Sequence, residues 1–173
     1  MIDYGVNMLE RGLVMYRKGA DFVQDWQHSS KGTMKVLEAM TDEKLDQAIV
    51  EGHNTLRWLA WHLATAQIYF AGLLGLRLKT SLDPKHSPKT VQEIVDGYKA
   101  VNNELLELVK KEFTDEDLVE EVDQHGRPTP RGEILRTLID HQTHHRGQMT
   151  VLLRQANLKV PGVMGPTKED LEK

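Results

Sequence analysis

The chain has 173 residues, 39% of them hydrophobic and 28% charged, with a formal net charge of −4 and no cysteine. This length and even composition predict one folded domain over residues 1–173 and exclude intrinsic disorder. Mild acidity, 26 acidic against 22 basic residues, argues against nucleic acid as a partner; the lack of cysteine removes disulfides, cysteine–zinc sites and thiol nucleophiles together.

The N-terminus, Met1-Ile2-Asp3-Tyr4-Gly5-Val6-Asn7, has no basic segment followed by an apolar one, so no signal peptide is expected. No apolar run nears the ~20 residues of a membrane span. The expectation is a cytoplasmic protein without membrane association.

Four long helices are predicted in chain order. The first runs from about Asn7 to Ala39, with Leu9, Leu13, Tyr16, Ala20, Val23, Trp26, Met34 and Leu37 at helical spacing. Ser29-Ser30 and Gly32 suggest a kink or break in it. The second runs from about Asn54 to Leu76, capped by Asn54 or Thr55. Its Leu56, Leu59, Leu63, Ala66 and Phe70 form one apolar stripe, and Trp58, His62, Thr65 and Tyr69 a second beside it. So wide an apolar arc fits a helix between two neighbours. Residues 77–89, with Pro84 and Pro88, read as a loop. Thr90-Val91-Gln92-Glu93 has the form of a capping box and opens the third helix, whose period holds to about Phe113. Residues 115–128 read as an irregular or extended connection. Thr129-Pro130 then suggests an N-cap with proline at the first helical position, opening a fourth helix to about Ala156. Residues 166–173 form a charged tail. Met40-Thr41-Asp42-Glu43-Lys44-Leu45 is echoed by Phe113-Thr114-Asp115-Glu116-Asp117-Leu118, which suggests two helix–connection–helix halves. The fold class predicted is all-α, an up-down four-helix bundle with irregular connections.

The chemistry concentrates in His141-Gln142-Thr143-His144-His145-Arg146-Gly147-Gln148 on the fourth helix. His141 and His145 are four residues apart, which places them about 40° apart on one face, one turn above the other. Two imidazoles so placed can share an ion, the logic of paired histidines in helical zinc sites. The plain alternative is a pair of core-edge histidines hydrogen-bonded to neighbours. A catalytic site needs a third ligand, and His62, mid-helix in Trp61-His62-Leu63-Ala64, is the best candidate. His141 and His144, at i and i+3, remain an alternative pair. His28, His86 and His125 read as surface residues, although His125 can reach a site mouth if its connection folds back. Gln148, one turn after His145, is placed to orient a ligand. Arg146 is open to pairing with an acid such as Asp140, and Gly147 to close packing by a neighbouring helix. Trp58, Trp61, Tyr69 and Phe70 can line a pocket near His62, but aromatics at helical spacing are read as core.

The His141–Gln148 run resembles the H-x-x-x-H-R-G-Q pattern of the DinB-like (DinB/YfiT) superfamily, and Asn54–Ala64 resembles that family's second-helix segment. The resemblance extends from about Gln27 to Gly165 and leaves residues 1–26 as a possible N-terminal extension. It implies a metal-binding four-helix bundle, often a homodimer, with a divalent metal held by His62, His141 and His145. Three imidazoles suit Zn²⁺ or Ni²⁺ first, and also Co²⁺ or Fe²⁺. Characterised relatives include thiol transferases using bacillithiol, mycothiol or glutathione, and maleylpyruvate isomerase-type enzymes. The resemblance therefore implies a small-molecule substrate and a metal-dependent transferase that activates a low-molecular-weight thiol as co-substrate. The alternatives are a metal-dependent hydrolase using bound hydroxide and a non-catalytic, stress-related binding bundle. No catalytic or cofactor-contacting residue beyond the three histidines is assigned by the pattern.

Overall fold

The computed structural model describes Tyr16 and residues 18–171. Four long helices carry the fold: α1 (Gly19–Glu38), α2 (Leu56–Leu73), α3 (Val91–Glu112) and α4 (Arg131–Gln155), followed by a short α5 (Lys168–Leu171). Expected residues before Tyr16 in the first helix lie outside the described residues. Among the described residues no helix is long and apolar enough to cross a membrane.

The helices form a four-helix bundle in which α1 and α2 each pack against both α3 and α4. Two apolar clusters fill it. One joins Val36 and Leu37 of α1, Leu56 and Leu59 of α2, Ile94 and Val95 of α3, and Leu152 and Leu153 of α4. The other joins Phe22 and Trp26, Phe70 and Leu74, Leu105 and Val109, and Ile134 and Leu135. The end of α1 therefore meets the start of α2, and the end of α3 the start of α4. Within each half the two helices run antiparallel on diagonal corners of the bundle, α2 and α3 run parallel, and residues 74–90 run back along the bundle between the halves.

Between the clusters lies a buried polar layer. Gln142 Oε1 accepts hydrogen bonds from Thr33 Oγ1 (3.0 Å) and Tyr98 Oη (3.2 Å), and its Nε2 donates to the Leu63 carbonyl (3.0 Å). One side chain thus links all four helices. Arg146 is also in this layer, donating to the Ser29 carbonyl (2.8 Å), Ser29 Oγ (3.2 Å), Thr33 Oγ1 (3.3 Å) and Thr143 Oγ1 (3.3 Å). It does not pair with Asp140, which is engaged by Arg136. Burial holds the Arg146 pKa below its usual range, yet the residue keeps to neutral partners.

Local chemistry accounts for the helix ends. The Thr55 hydroxyl accepts from the Trp58 amide, and the Thr90 hydroxyl from the Glu93 amide. Glu93 does not complete the capping box; it accepts from the Lys89 amide and contacts His86 instead. Helix α4 opens differently from the sequence expectation. Thr129 and Pro130 belong to a strand, Pro130 stands at the N-cap, and α4 starts at Arg131. The 115–128 connection holds a 3₁₀ turn (Glu116–Val119) and a hairpin, β1 (Glu121–Gln124) antiparallel to β2 (Arg127–Pro130). Its two-residue turn, His125-Gly126, has φ of 55° and 83°, the doubly positive pattern of a type I′ hairpin. Gly32 lies inside an unbroken α1: a Cβ there would approach Val163 Cγ1 to 2.7 Å and Arg146 Nη1 to 3.4 Å. It marks a close approach, not a kink.

Candidate metal centre

His62 projects from the middle of α2 toward α4, where His141 and His145 stand one turn apart. The three rings converge. His62 Nε2 and His141 Nε2 are 3.0 Å apart. Ring centroids are separated by 4.8 Å (His62–His141), 4.8 Å (His62–His145) and 4.5 Å (His141–His145). One nitrogen from each ring lies within 4.8 Å of the others, and among the described residues this is the group of three able to hold a metal ion. His144 is exposed and stays outside that group, so the i, i+3 alternative is not the arrangement the fold makes.

The electrostatics suit a cation. Burial, then His145, lowers the pKa of His62. Burial, then His145 and His62, pushes His141 down to about 4. Burial also lowers His145, outweighing the opposing effect of Gln148. Near neutral pH the rings are therefore uncharged, the form in which imidazole binds metal. His145 Nδ1 lies 2.8 Å from Gln148 Oε1. An amide oxygen only accepts, so Nδ1 carries the proton and the Nε2 lone pair faces the cluster. His141 Nδ1 is buried without a hydrogen-bond partner, and its Nε2 meets only another imidazole. A buried ring so poorly satisfied is costly unless a further group joins it, and a divalent ion bound by three neutral nitrogens fits that need.

Aromatic side chains frame the cluster. Trp58 stacks on His62 at 4.7 Å and 15°, and Phe70 meets His141 edge-on at 5.5 Å. Trp61 and Phe70 are core residues, as their spacing predicts. Trp58 and Tyr69 are not: they are 45% and 48% exposed. Reading the stripe as core missed them, because spacing gives a face but not its cover. Tyr69 Oη is 2.7 Å from His125 Nε2, and the two rings stack at 6.3 Å and 18°. The hairpin tip thus folds back against α2, two turns along from His62, and brings His125 to Tyr69 rather than to the groove lining. A groove of about 690 Å³ opens on the other side, lined by His62, Trp58 and Trp61 and by residues 84–88.

The sequence profile of the DinB family matches residues 15–173, and the chain belongs to that family. It is similar to YrdA of Bacillus subtilis, an uncharacterized protein, with 37% identity over 159 residues that span 92% of this chain and 95% of YrdA. Its structure is similar to that of a DinB-like protein from Bacillus cereus, with a TM-score of 0.83 and 44% identity over 86% of this chain and 99% of the other. YjoA, a DinB-like protein of Bacillus subtilis, gives a TM-score of 0.67 over 84% of this chain and 99% of its own; at 15% identity this likeness shows the fold alone.

Proposed function

We propose that the chain is a metal-dependent enzyme in which His62, His141 and His145 hold one divalent ion, Zn²⁺ or Ni²⁺ first, and a low-molecular-weight thiol is activated for transfer to an electrophile. The observation that carries this reading is the convergence of three neutral imidazoles beside an open groove. A divalent ion held there supplies a Lewis-acid position that lowers the pKa of a coordinated thiol or water. The protein's own part is binding and orientation. Gln148 fixes the tautomer of His145, and Trp58 and Phe70 hold the rings of His62 and His141.

The chain contains no cysteine, so the thiol comes from a small co-substrate. In the transfer, the thiol loses its proton to solvent and its sulfur forms a bond to the electrophilic carbon. The leaving group departs with its electron pair. A hydrolase using bound hydroxide is the second reading, and it calls for a general base at the metal. Among the described residues no Asp or Glu joins the three histidines, and this favours the thiol.

The test is conjugation of glutathione to a reactive aryl halide, with metal-loaded wild type beside His145→Ala. Acceleration by wild type and none by the variant supports the reading. Equal rates in the two overturn it. Hydrolysis of an activated ester by wild type, with no thiol conjugation, favours the hydrolase.

A further inference from the structure

The groove beside His62 has a floor and a far end of different character. Trp58 stacks one face on His62, meets His145 edge-on at 6.5 Å and leaves 45% of its surface exposed. Trp61, below it, is buried and fixed: its Nε1 donates to the Asp83 carbonyl (2.8 Å), which ties the loop over residues 84–88 to α2 as the opposite wall. Gly97 leaves the space that Trp61 occupies, since a Cβ there would reach the indole at 2.9 Å. At the far end Arg57 is paired with Asp46 at 2.9 Å and donates to the Pro88 carbonyl, so these two charges cancel. Lys85 also lines the groove, with no ion pair among the described residues.

From this juxtaposition we infer that the groove is the binding site for the acceptor substrate, and that it takes a planar, conjugated molecule bearing an anionic group. The flat part stacks on Trp58 beside His62, and the anionic group lies toward Lys85. A volume of about 690 Å³ accommodates one substituted ring. Trp58 is on this account a specificity-determining residue whose exposed face is the platform. The inference names the substrate class for the enzymatic reading above and rests on it for its role in turnover, but the binding itself requires neither metal nor thiol.

The probe is trans-cinnamate, titrated into metal-free and metal-loaded protein and followed by ¹H–¹⁵N spectra. The Trp58 indole signal is assigned by its loss in Trp58→Leu. Saturable shifts of that signal and of Asn54–His62 amides are expected in both forms, and also in His145→Ala. Trp58→Leu, at a half-exposed position where folding is preserved, is expected to weaken binding about three- to tenfold, the worth of one aromatic stack. Lys85→Ala is expected to weaken cinnamate about two- to fivefold and leave neutral cinnamyl alcohol unchanged. 3-Cyclohexylpropionate, anionic but not planar, is expected to bind more weakly than cinnamate. Non-saturable shifts, or shifts away from Trp58, overturn the site. Unchanged affinity in Trp58→Leu overturns the platform, and equal losses for acid and alcohol in Lys85→Ala overturn the anionic preference. Cinnamate binding to protein that, once metal-loaded, shows no thiol transfer leaves the groove standing and rejects the enzymatic reading alone.

Discussion

His141 and Gln142, and one turn later His145 and Arg146, make two i, i+4 pairs offset by a single residue. The offset turns each pair about 100° from the other, so the histidines face His62 while Gln142 and Arg146 enter the polar layer between the apolar clusters. The histidine pair was legible in the sequence because its spacing has a known chemical use. The Gln–Arg pair was not, because its partners Ser29, Thr33 and Tyr98 come from distant segments and leave no local pattern. Arg146→Ala removes buried hydrogen bonds and opens a cavity, and is expected to cost about 2–4 kcal/mol in chemical denaturation. Gln148→Ala leaves the fold intact but frees the His145 tautomer; metal titration should show affinity about 10- to 100-fold lower. The pH dependence follows from His141, whose folded pKa of about 4 lies below the ordinary value of 6.5. Between these values the unfolded chain binds a proton that the folded chain does not, so stability falls as pH drops from 6.5 toward 4. Thermal melts of metal-free protein across that window should decline, and His141→Leu should flatten the decline.

At the scale of elements, the chain is two interlocked halves. In each, a long helix is followed by a 3₁₀ turn on the repeated Thr-Asp-Glu (Asp42–Lys44 and Glu116–Val119), then an antiparallel pairing, then a helix that carries metal-ligand candidates. The pairing is a single bridge, Ala48 to Thr55, in the first half and the β1–β2 hairpin in the second. The short echo in the sequence marked this arrangement; the hairpin itself was hidden by its two prolines, which argue locally against strand. Helix extents were legible because apolar period and caps agree along α2 and α3. Two glycines separate tight packing from open surface. Gly32→Ala forces Val163 and Arg146 to move and is expected to cost about 1–3 kcal/mol. Gly147, expected from sequence to meet a neighbouring helix, meets nothing within 4 Å where its Cβ would be. Gly147→Ala is therefore expected to stabilise the protein by up to about 1 kcal/mol. Denaturation midpoints of the two variants, moving in opposite directions, check both statements.

For the molecule as a whole, the candidate centre bridges α2 and α4, the second helix of each half, so an ion there ties the halves together at the level of the polar layer. Ligand binding to the folded state alone stabilises it by about 2.7 kcal/mol at 100 times Kd. For a chain of this size that corresponds to a rise in Tm of roughly 5–10 °C, reversed by a chelator. The all-α bundle and its three histidines were legible from period and spacing. The half-exposure of Trp58 and Tyr69, and the groove walled by residues 84–88, were not, because they depend on how the connections fold back over α2. The most direct measurement is the metal content of protein purified without an affinity tag, wild type beside His62→Ala and His141→Ala. About one transition-metal ion per chain, lost in both variants, is the result expected of a shared three-histidine site. No metal in wild type even after reconstitution, or full occupancy in either variant, would contradict it.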